Sequence, residues 1–276
     1  MKSKKVMWTT LKLAIIMISC ALVLIPLWFT VLNSFKPYSE IAQNIAALPQ
    51  NPTLNNFKEA WSRLNFPTVF KNTLIISAFS AVGCVVLSGM TGYWIARHDN
   101  WFTRICNGLI MSGMSVPFQC VMITFAKMIG KLNLGNTYAG VIISFWVFSL
   151  PMSVFLVTGA VRSIPIEVEE AAIIDGCSPF NLYWRVVFPL TKGTTFTIIS
   201  LQLLKFWNDY LMSQFILSKP AMRTIQIAMM SLFNEAMFSW DTAVAAVTLS
   251  ILPLFIFFLL AQKQVMGGVT SGAVKG

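Results

Sequence analysis

The stretch Ser163-Ile-Pro165-Ile-Glu167-Val-Glu169-Glu170-Ala171-Ala172-Ile-Ile-Asp175-Gly176-Cys-Ser178-Pro179-Phe-Asn-Leu-Tyr-Trp-Arg185-Val186-Val-Phe-Pro189 decides how this chain is read. It carries charge and turn chemistry between two apolar runs. Ser163 can cap a first helix, and Pro165 sits near its first turn, where a missing N–H costs nothing. Glu167, Glu169 and Glu170 fall in the first half, where the helix dipole favours negative charge. Gly176 suits the left-handed position just past a helix end. Ser178-Pro179 opens a second helix with another cap and another first-turn proline, and Pro189 stops it. The spacing predicts two short helices joined at a glycine. Ala171 and Ala172 give a small-residue face with an acidic rim, a shape suited to being held by another molecule.

The rest of the chain places that segment in a membrane protein. Hydrophobic residues make up 56% of the 276 positions, charged residues 11%, and mean hydropathy is +0.70. Soluble domains carry about 25% charged residues, so this chain has too few to cover a water-facing surface. The pI of 9.6 does not point to nucleic acid, because the basic residues lie scattered between apolar runs. Cys20, Cys84, Cys106, Cys120 and Cys177 form no CxxC pair. They read as small hydrophobes rather than a disulfide framework or metal site. His98 is the only histidine, which leaves little for histidine-based catalysis.

A helix needs about 20 apolar residues to cross the hydrocarbon core. Six segments qualify, near 11–33, 72–96, 105–129, 138–161, 193–217 and 243–262. The expected fold is therefore an all-α polytopic membrane protein with six transmembrane helices. The basic start followed by the apolar run 11–32 resembles a signal peptide. That run is too long for one, and no small-x-small site follows it, so it reads as an uncleaved first span. With the N-terminus inside, eleven Lys and Arg fall on the inner side and eight on the outer, with Lys205 inside a span. This bias and the N-terminal cluster place both termini, and the 162–192 segment, in the cytoplasm. Pro117 and Pro151 lie within predicted spans. They fit ordinary kinked packing, and together they also fit helices bent around a pathway.

Glu170-Ala171-Ala172, then Gly176, then Val186 and Pro189, resembles the EAA loop of ABC importer permeases. That pattern is E-A-A, three residues, G, nine residues, I-x-L-P, and here Val186 and Phe188 stand for the Ile and Leu. Asn51-Pro-Thr-Leu-Asn-Asn-Phe57, Trp207-Asn208-Asp209 and the ending Ser271-Gly-Ala-Val-Lys-Gly276 resemble the carbohydrate branch, within it the second permease of maltose-, raffinose- or multiple-sugar-type importers. The resemblance implies an ABC type I importer fold, forming one transmembrane permease domain over 1–276. Its parts would be a core at 72–262, a coupling loop at 162–192 and a tail at 263–276. It implies that Glu170, Ala171, Ala172, Asp175, Gly176, Val186 and Pro189 couple the chain to an ATPase. It implies as partners a second, different permease, two ATPase subunits, an external sugar-binding protein and the sugar itself, in a bacterial plasma membrane. The chain has no G-x-x-x-x-G-K-[ST] phosphate loop. It is therefore expected to be no enzyme and to hold no cofactor or metal, with ATP and Mg bound by the partner subunits. Tail residues Gly272 and Lys275 would lie against the ATPases, although the glycine-rich tail reads by composition as a disordered end.

Charged groups inside a span are costly and usually functional. Lys205 and Asp209 are four apart and could pair on one helix face, either as a self-satisfied ion pair or as part of the substrate pathway. Trp207, Asn208 and Tyr210 could offer a sugar an amide and an aromatic surface, but successive positions cannot all face one cavity. Tryptophan and tyrosine also favour membrane interfaces. The 218–242 loop, with Met229, Met230, Phe233, Met237, Phe238 and Trp240, reads as a re-entrant or interfacial helix. The resemblance directs it toward the binding protein. Two rival readings stand beside the sugar permease. One is a permease for glycerol phosphate or another small solute, and the other is an ion-driven secondary transporter. A membrane enzyme would need His, Cys or acids clustered at one depth, and the sequence has no such cluster.

Overall fold

The computed structural model describes the backbone of residues 2–233 and 239–273, and the side chains of 7–233 and 239–262. All regular elements among them are helical. The main ones are α1 (Lys2–Ser34), α2 (Phe66–Arg97), α3 (Trp101–Ser112), α4 (Phe118–Lys131), α5 (Tyr138–Arg162), α6 (Ile166–Ile174), α7 (Lys192–Trp207), α8 (Leu211–Ile216), α9 (Ile225–Phe233) and α10 (Trp240–Ala273). Among the described residues, four stretches are long and apolar enough to cross a membrane: Met7–Ser34, Phe66–Arg97, Tyr138–Arg162 and Trp240–Gln262.

Two of the six expected spans are not single helices. The third is broken between α3 and α4, which meet at 106° and are long enough only as a pair. The chain tightens into a 3₁₀ turn over Gly113–Ser115, and Val116 turns extended with ψ 107°. A residue before proline is pushed out of the α region, so Pro117 breaks this helix where a kink was expected. The fifth expected span divides into α7, 16 residues, and α8, 6 residues, around a break at 208–210. At 1.5 Å per residue α7 is about 24 Å long, short of a hydrocarbon core of about 30 Å. Pro151 does remain inside a continuous α5. Pro26 and Pro253 also lie within helices. The helix of the sixth expected span, α10, runs on to Ala273. The backbone of Gly267, Gly268 and Gly272 is thus helical where composition suggested an irregular end.

The described residues gather into two compact units, one within 1–67 and 228–253 and the other within 68–227 and 254–273. In the first, the 51–57 motif is a clasp on the end of α1. Asn56 is buried and donates Nδ2 to the carbonyls of Ser34 at 3.0 Å and Lys36 at 2.7 Å. Thr53 N–H donates to the Phe35 carbonyl at 2.8 Å, and Phe57 packs on Phe35 with centroids 5.0 Å apart. Lys36 is itself buried, its ammonium donating to the carbonyls of Asn44 and Ile45. An open groove of about 780 Å³ lies beside this clasp, lined by Phe29, Asn33, Tyr38, Asn44 and Trp240 among others.

Glu40 closes the loop. Its carboxylate accepts from Asn51 Nδ2 at 2.9 Å and from the N–H groups of Gln50 and Asn51 at 3.0 Å. The Asn51 side chain, ahead of these amides and of Lys36, holds the Glu40 carboxyl below its ordinary value of 4.5. A depressed carboxylate contributes fully above its unfolded value, and the contribution is lost as pH falls through the folded one. Amide protection factors at Gln50 and Asn51 are therefore expected to hold at neutral pH and collapse in acid below 4.5. Protection unchanged across that window would mean something else secures the loop.

In the second unit α2 and α5 pack at glycine notches. A Cβ on Gly83 would sit 2.3 Å from the Trp146 ring, and one on Gly92 would sit 2.8 Å from Val157. Trp146 Nε1 donates to the Ser80 carbonyl at 3.1 Å, so the indole N–H is satisfied. Phe145 stacks on Phe206 of α7 with centroids 4.6 Å apart. Ser153 lies between Cys84 at 3.2 Å and Gln202, whose Nε2 donates to its Oγ at 3.0 Å. Asn72 donates to the carbonyls of Ala221 and Arg223 and accepts from the Tyr138 hydroxyl.

Candidate functional site

The helix–Gly–helix is present, with one cap reassigned. Ser163 Oγ donates to the Ala160 carbonyl at 2.8 Å, so it closes α5 rather than opening α6. Pro165 takes the N-cap position. At the far end Cys177 N–H donates to the Ala172 carbonyl at 3.0 Å and Gly176 N–H to the Ile173 carbonyl at 2.9 Å. Gly176 has φ +83°, and this pair of bonds across a left-handed glycine is the Schellman closure. Ser178 Oγ accepts from Asn181 N–H at 3.4 Å, and Pro179 follows as the first helical residue.

The second helix then widens into a π-turn over Leu182–Val187 before Phe188–Leu190. In an α-turn the Arg185 carbonyl would bond to the nitrogen of residue 189. Proline there has no N–H and crowds that carbonyl, and the wider winding relieves both. The turn buries Tyr183, whose hydroxyl fills the space a Cβ on Gly89 of α2 would take, 2.1 Å away. Burial pushes the Tyr183 hydroxyl up to about 12, so it stays neutral at physiological pH.

The three acids of α6 have different surroundings. Glu167 and Glu170 are exposed, whereas Glu169 is 3% exposed. Its carboxylate accepts from Arg97 Nε at 2.7 Å and from the Tyr93 hydroxyl at 2.9 Å. This anchor could not be chosen from the sequence, where Glu169 is one of three near-equivalent acids. Tyr93 and Arg97, four apart on α2, hint at a polar face but not at its partner. With Glu169 turned in, the outward face holds Glu170, Ala171, Asp175, Gly176 and Pro189, all exposed, with Ala172 and Val186 half-buried. Around them stand uncovered apolar side chains: Ile174 is 85% exposed, Phe180 68% and Ile173 56%.

The expected pathway residues do not form one group. Lys205 donates to the Phe148 carbonyl at 3.2 Å and Ser149 Oγ at 3.1 Å, one turn before Pro151. Asp209 accepts from Ser213 N–H at 2.9 Å and from its hydroxyl at 2.8 Å, opening α8. The expected pairing of Lys205 with Asp209 gives way to these separate partners because α7 ends at Trp207. Beyond that point the four-residue spacing no longer shares a face. Trp207 is buried, its ring edge-on to Phe70, and Tyr210 is half-buried against the apolar core. Asn208 is exposed, with Gln226 Nε2 donating to it at 3.4 Å. Within the 218–242 segment Met229 is buried, while Met230, Phe233 and Trp240 are exposed. Met237 and Phe238 lie outside the described residues, as do Lys275 and the surroundings of Gly272.

Residues 88–269, which include both the helix–Gly–helix and the broken fifth segment, match the family described as binding-protein-dependent transport system inner membrane component. The chain belongs to that family. It is a multi-pass membrane permease, a transport subunit rather than an enzyme, and works with an ATPase and a substrate-binding protein. The permease is 36% identical over 250 residues to the probable starch degradation products transport system permease protein AmyC of Thermoanaerobacterium thermosulfurigenes, covering 91% of each chain. It is 32% identical to the melibiose/raffinose/stachyose import permease protein MelC of Bacillus subtilis, again over 91% of each. Its fold is similar to a chain from a bacterial ABC transporter that imports the acidic polysaccharide alginate. The TM-score is 0.82 at 22% identity, over 93% of this chain and 96% of that one.

Proposed function

We propose that this chain is the second permease of an ATP-driven importer of oligosaccharides in a bacterial plasma membrane. Relatives named for starch products, raffinose-type sugars and arabinooligosaccharides support a sugar cargo. The chain crosses the membrane six times as a single permease domain, with the broken third and fifth segments each counting as one crossing and both termini in the cytoplasm. It pairs with a different permease and sits on two ATPase subunits, which hold the ATP and Mg. A binding protein delivers the sugar from outside, toward the 218–242 segment.

One observation carries the coupling role. The helix–Gly–helix exposes Ile173, Ile174 and Phe180 around Glu170 and Gly176. Apolar side chains grouped on a polar segment mark an interaction surface, and this one is built on a pinned base. Glu170, Ala171, Ala172, Asp175, Gly176, Val186 and Pro189 form the seat for an ATPase cleft. Lys205, Asn208 and Asp209 flank the pathway at the break in the fifth segment, with Trp207 and Tyr210 packed behind them. Gly272 and Lys275 contact the ATPase pair.

The test is to purify the assembly by a tag on this chain and identify what accompanies it. Cross-linking from Ile174→Cys then reports the neighbour, and ATPase activity is screened with binding protein loaded with maltotriose, raffinose or glycerol phosphate. The expected result is an ATPase cross-link and sugar-stimulated hydrolysis. Stimulation by glycerol phosphate alone would transfer the reading to that solute. Uptake that ignores ATP and collapses with an ionophore would replace it with an ion-driven transporter.

A further inference from the structure

The helix–Gly–helix joins α5 through the short link 163–165, and such a link is a natural hinge. A push on the exposed face of α6 could be absorbed there by bending. What opposes bending is a polar junction outside the outward face. Both carboxylate oxygens of Glu169 are engaged, Oε1 by Arg97 Nε at 2.7 Å and Oε2 by the Tyr93 hydroxyl at 2.9 Å. Arg97 gives a second nitrogen, Nη2, to the carbonyl of Ile164, inside the link, at 3.0 Å. Tyr93 and Arg97 lie in the last turn and a half of α2. One buried carboxylate thus connects α6, the link and the end of a membrane-spanning helix.

We infer that Glu169, Arg97 and Tyr93 form a rigid joint that makes the helix–Gly–helix and α2 move as one body. This rests on the coupling reading above and deepens it by naming positioning residues behind the outward face. The neighbouring apolar contacts, Val161, Ile164, Tyr183, Val187 and Phe188, are non-directional and tolerate sliding. A guanidinium–carboxylate contact fixes an angle as well as a distance. Bending at the link would strand the Glu169 charge away from water, and removing one partner of a buried ion pair is strongly unfavourable.

The experiment uses the whole transporter in nanodiscs, with the native cysteines of this chain replaced by serine and spin labels at Met90→Cys on α2 and Glu167→Cys on α6. Both sites are exposed, and neither belongs to the coupling surface. Distances are read with and without ATP and vanadate. The wild-type pair is expected to give one narrow distance in both states, because the joint carries both labels together. Glu169→Gln keeps the side-chain shape and loses the charge. It is expected to show a second distance with nucleotide, its population raised about tenfold, the factor for one lost charge-assisted hydrogen bond. The exchanged pair Arg97→Glu with Glu169→Arg is expected to recover part of the single distance, which a merely bulky role would not do, because it re-forms the ion pair while a carboxylate at 97 cannot donate to the Ile164 carbonyl. Tyr93→Phe leaves the ion pair in place and is expected to broaden the distance less, so the test stands even where Glu169→Gln assembles poorly. A wild-type distance that changes with nucleotide would overturn the joint, as would Glu169→Gln and Tyr93→Phe distances as narrow as wild type. A cysteine at 174 that never cross-links the ATPase would overturn the coupling reading instead.

Discussion

Replacing Gly176 with tryptophan is expected to abolish ATP-dependent uptake while the amount of chain in the membrane stays unchanged. Two costs separate in this prediction. The backbone cost is local, because Gly176 has φ +83° and a side chain in the left-handed region costs about 1–2 kcal/mol. The side chain starts into open space, since a Cβ there meets nothing within 4 Å. A permease alone should therefore tolerate the change. The indole instead stands in the middle of the face that holds Ile173, Ile174 and Phe180, where a partner must fit. Gly176→Asn is the control, because asparagine accepts left-handed backbone and is small, and it should keep most of the uptake. The comparison reads initial uptake rate against immunoblotted membrane protein. Normal uptake by the tryptophan variant would remove Gly176 from the coupling surface.

The second large effect concerns Gly89, where the clash lies inside the chain. A methyl group there would sit 2.1 Å from the Tyr183 hydroxyl oxygen, and overpacking a filled site typically costs about 1–3 kcal/mol. Gly89→Ala is expected to lower the thermal midpoint in detergent and displace the π-turn from α2. Tyr183→Phe removes the one atom that collides, so the double variant Gly89→Ala with Tyr183→Phe should regain most of the loss. That non-additivity, read in a double-mutant cycle, is the measurement. Additive losses would place the damage elsewhere in α2.

The features legible in the sequence were those decided within a turn of the residue concerned. Gly176, Ser178 and Pro179 are caps whose geometry depends on their immediate neighbours, and they appear where their chemistry put them. The unbroken apolar runs of α1, α2, α5 and the start of α10 were legible for the same reason. Proline shows where local reading stops. Pro117 breaks its helix because Gly113, Ser115 and Val116 give the chain an exit. Pro151 stays within α5, and Lys205, 56 residues from Ser149, supplies an ammonium to the carbonyl of Phe148 in the turn before it. The choice of Glu169 over Glu167 and Glu170 was settled by Arg97, 72 residues away. No pattern within α6 carries that information, because the three acids share composition, spacing and helix dipole. Nor does the apparent i, i+4 pair Lys205–Asp209 announce that its helix ends two residues before Asp209.

Over Met7–Ser34 the first helix, α1, is almost wholly unburied within the chain. Its clasp at 51–57 secures one end and leaves the long apolar flank for whatever surrounds it. Lipid can wet that flank but gives no preference for one orientation over another. A second protein can, through close van der Waals packing. The rotation of this helix about its own axis is therefore left to such packing, and any stability gained from a neighbour would rise with the logarithm of that neighbour's concentration.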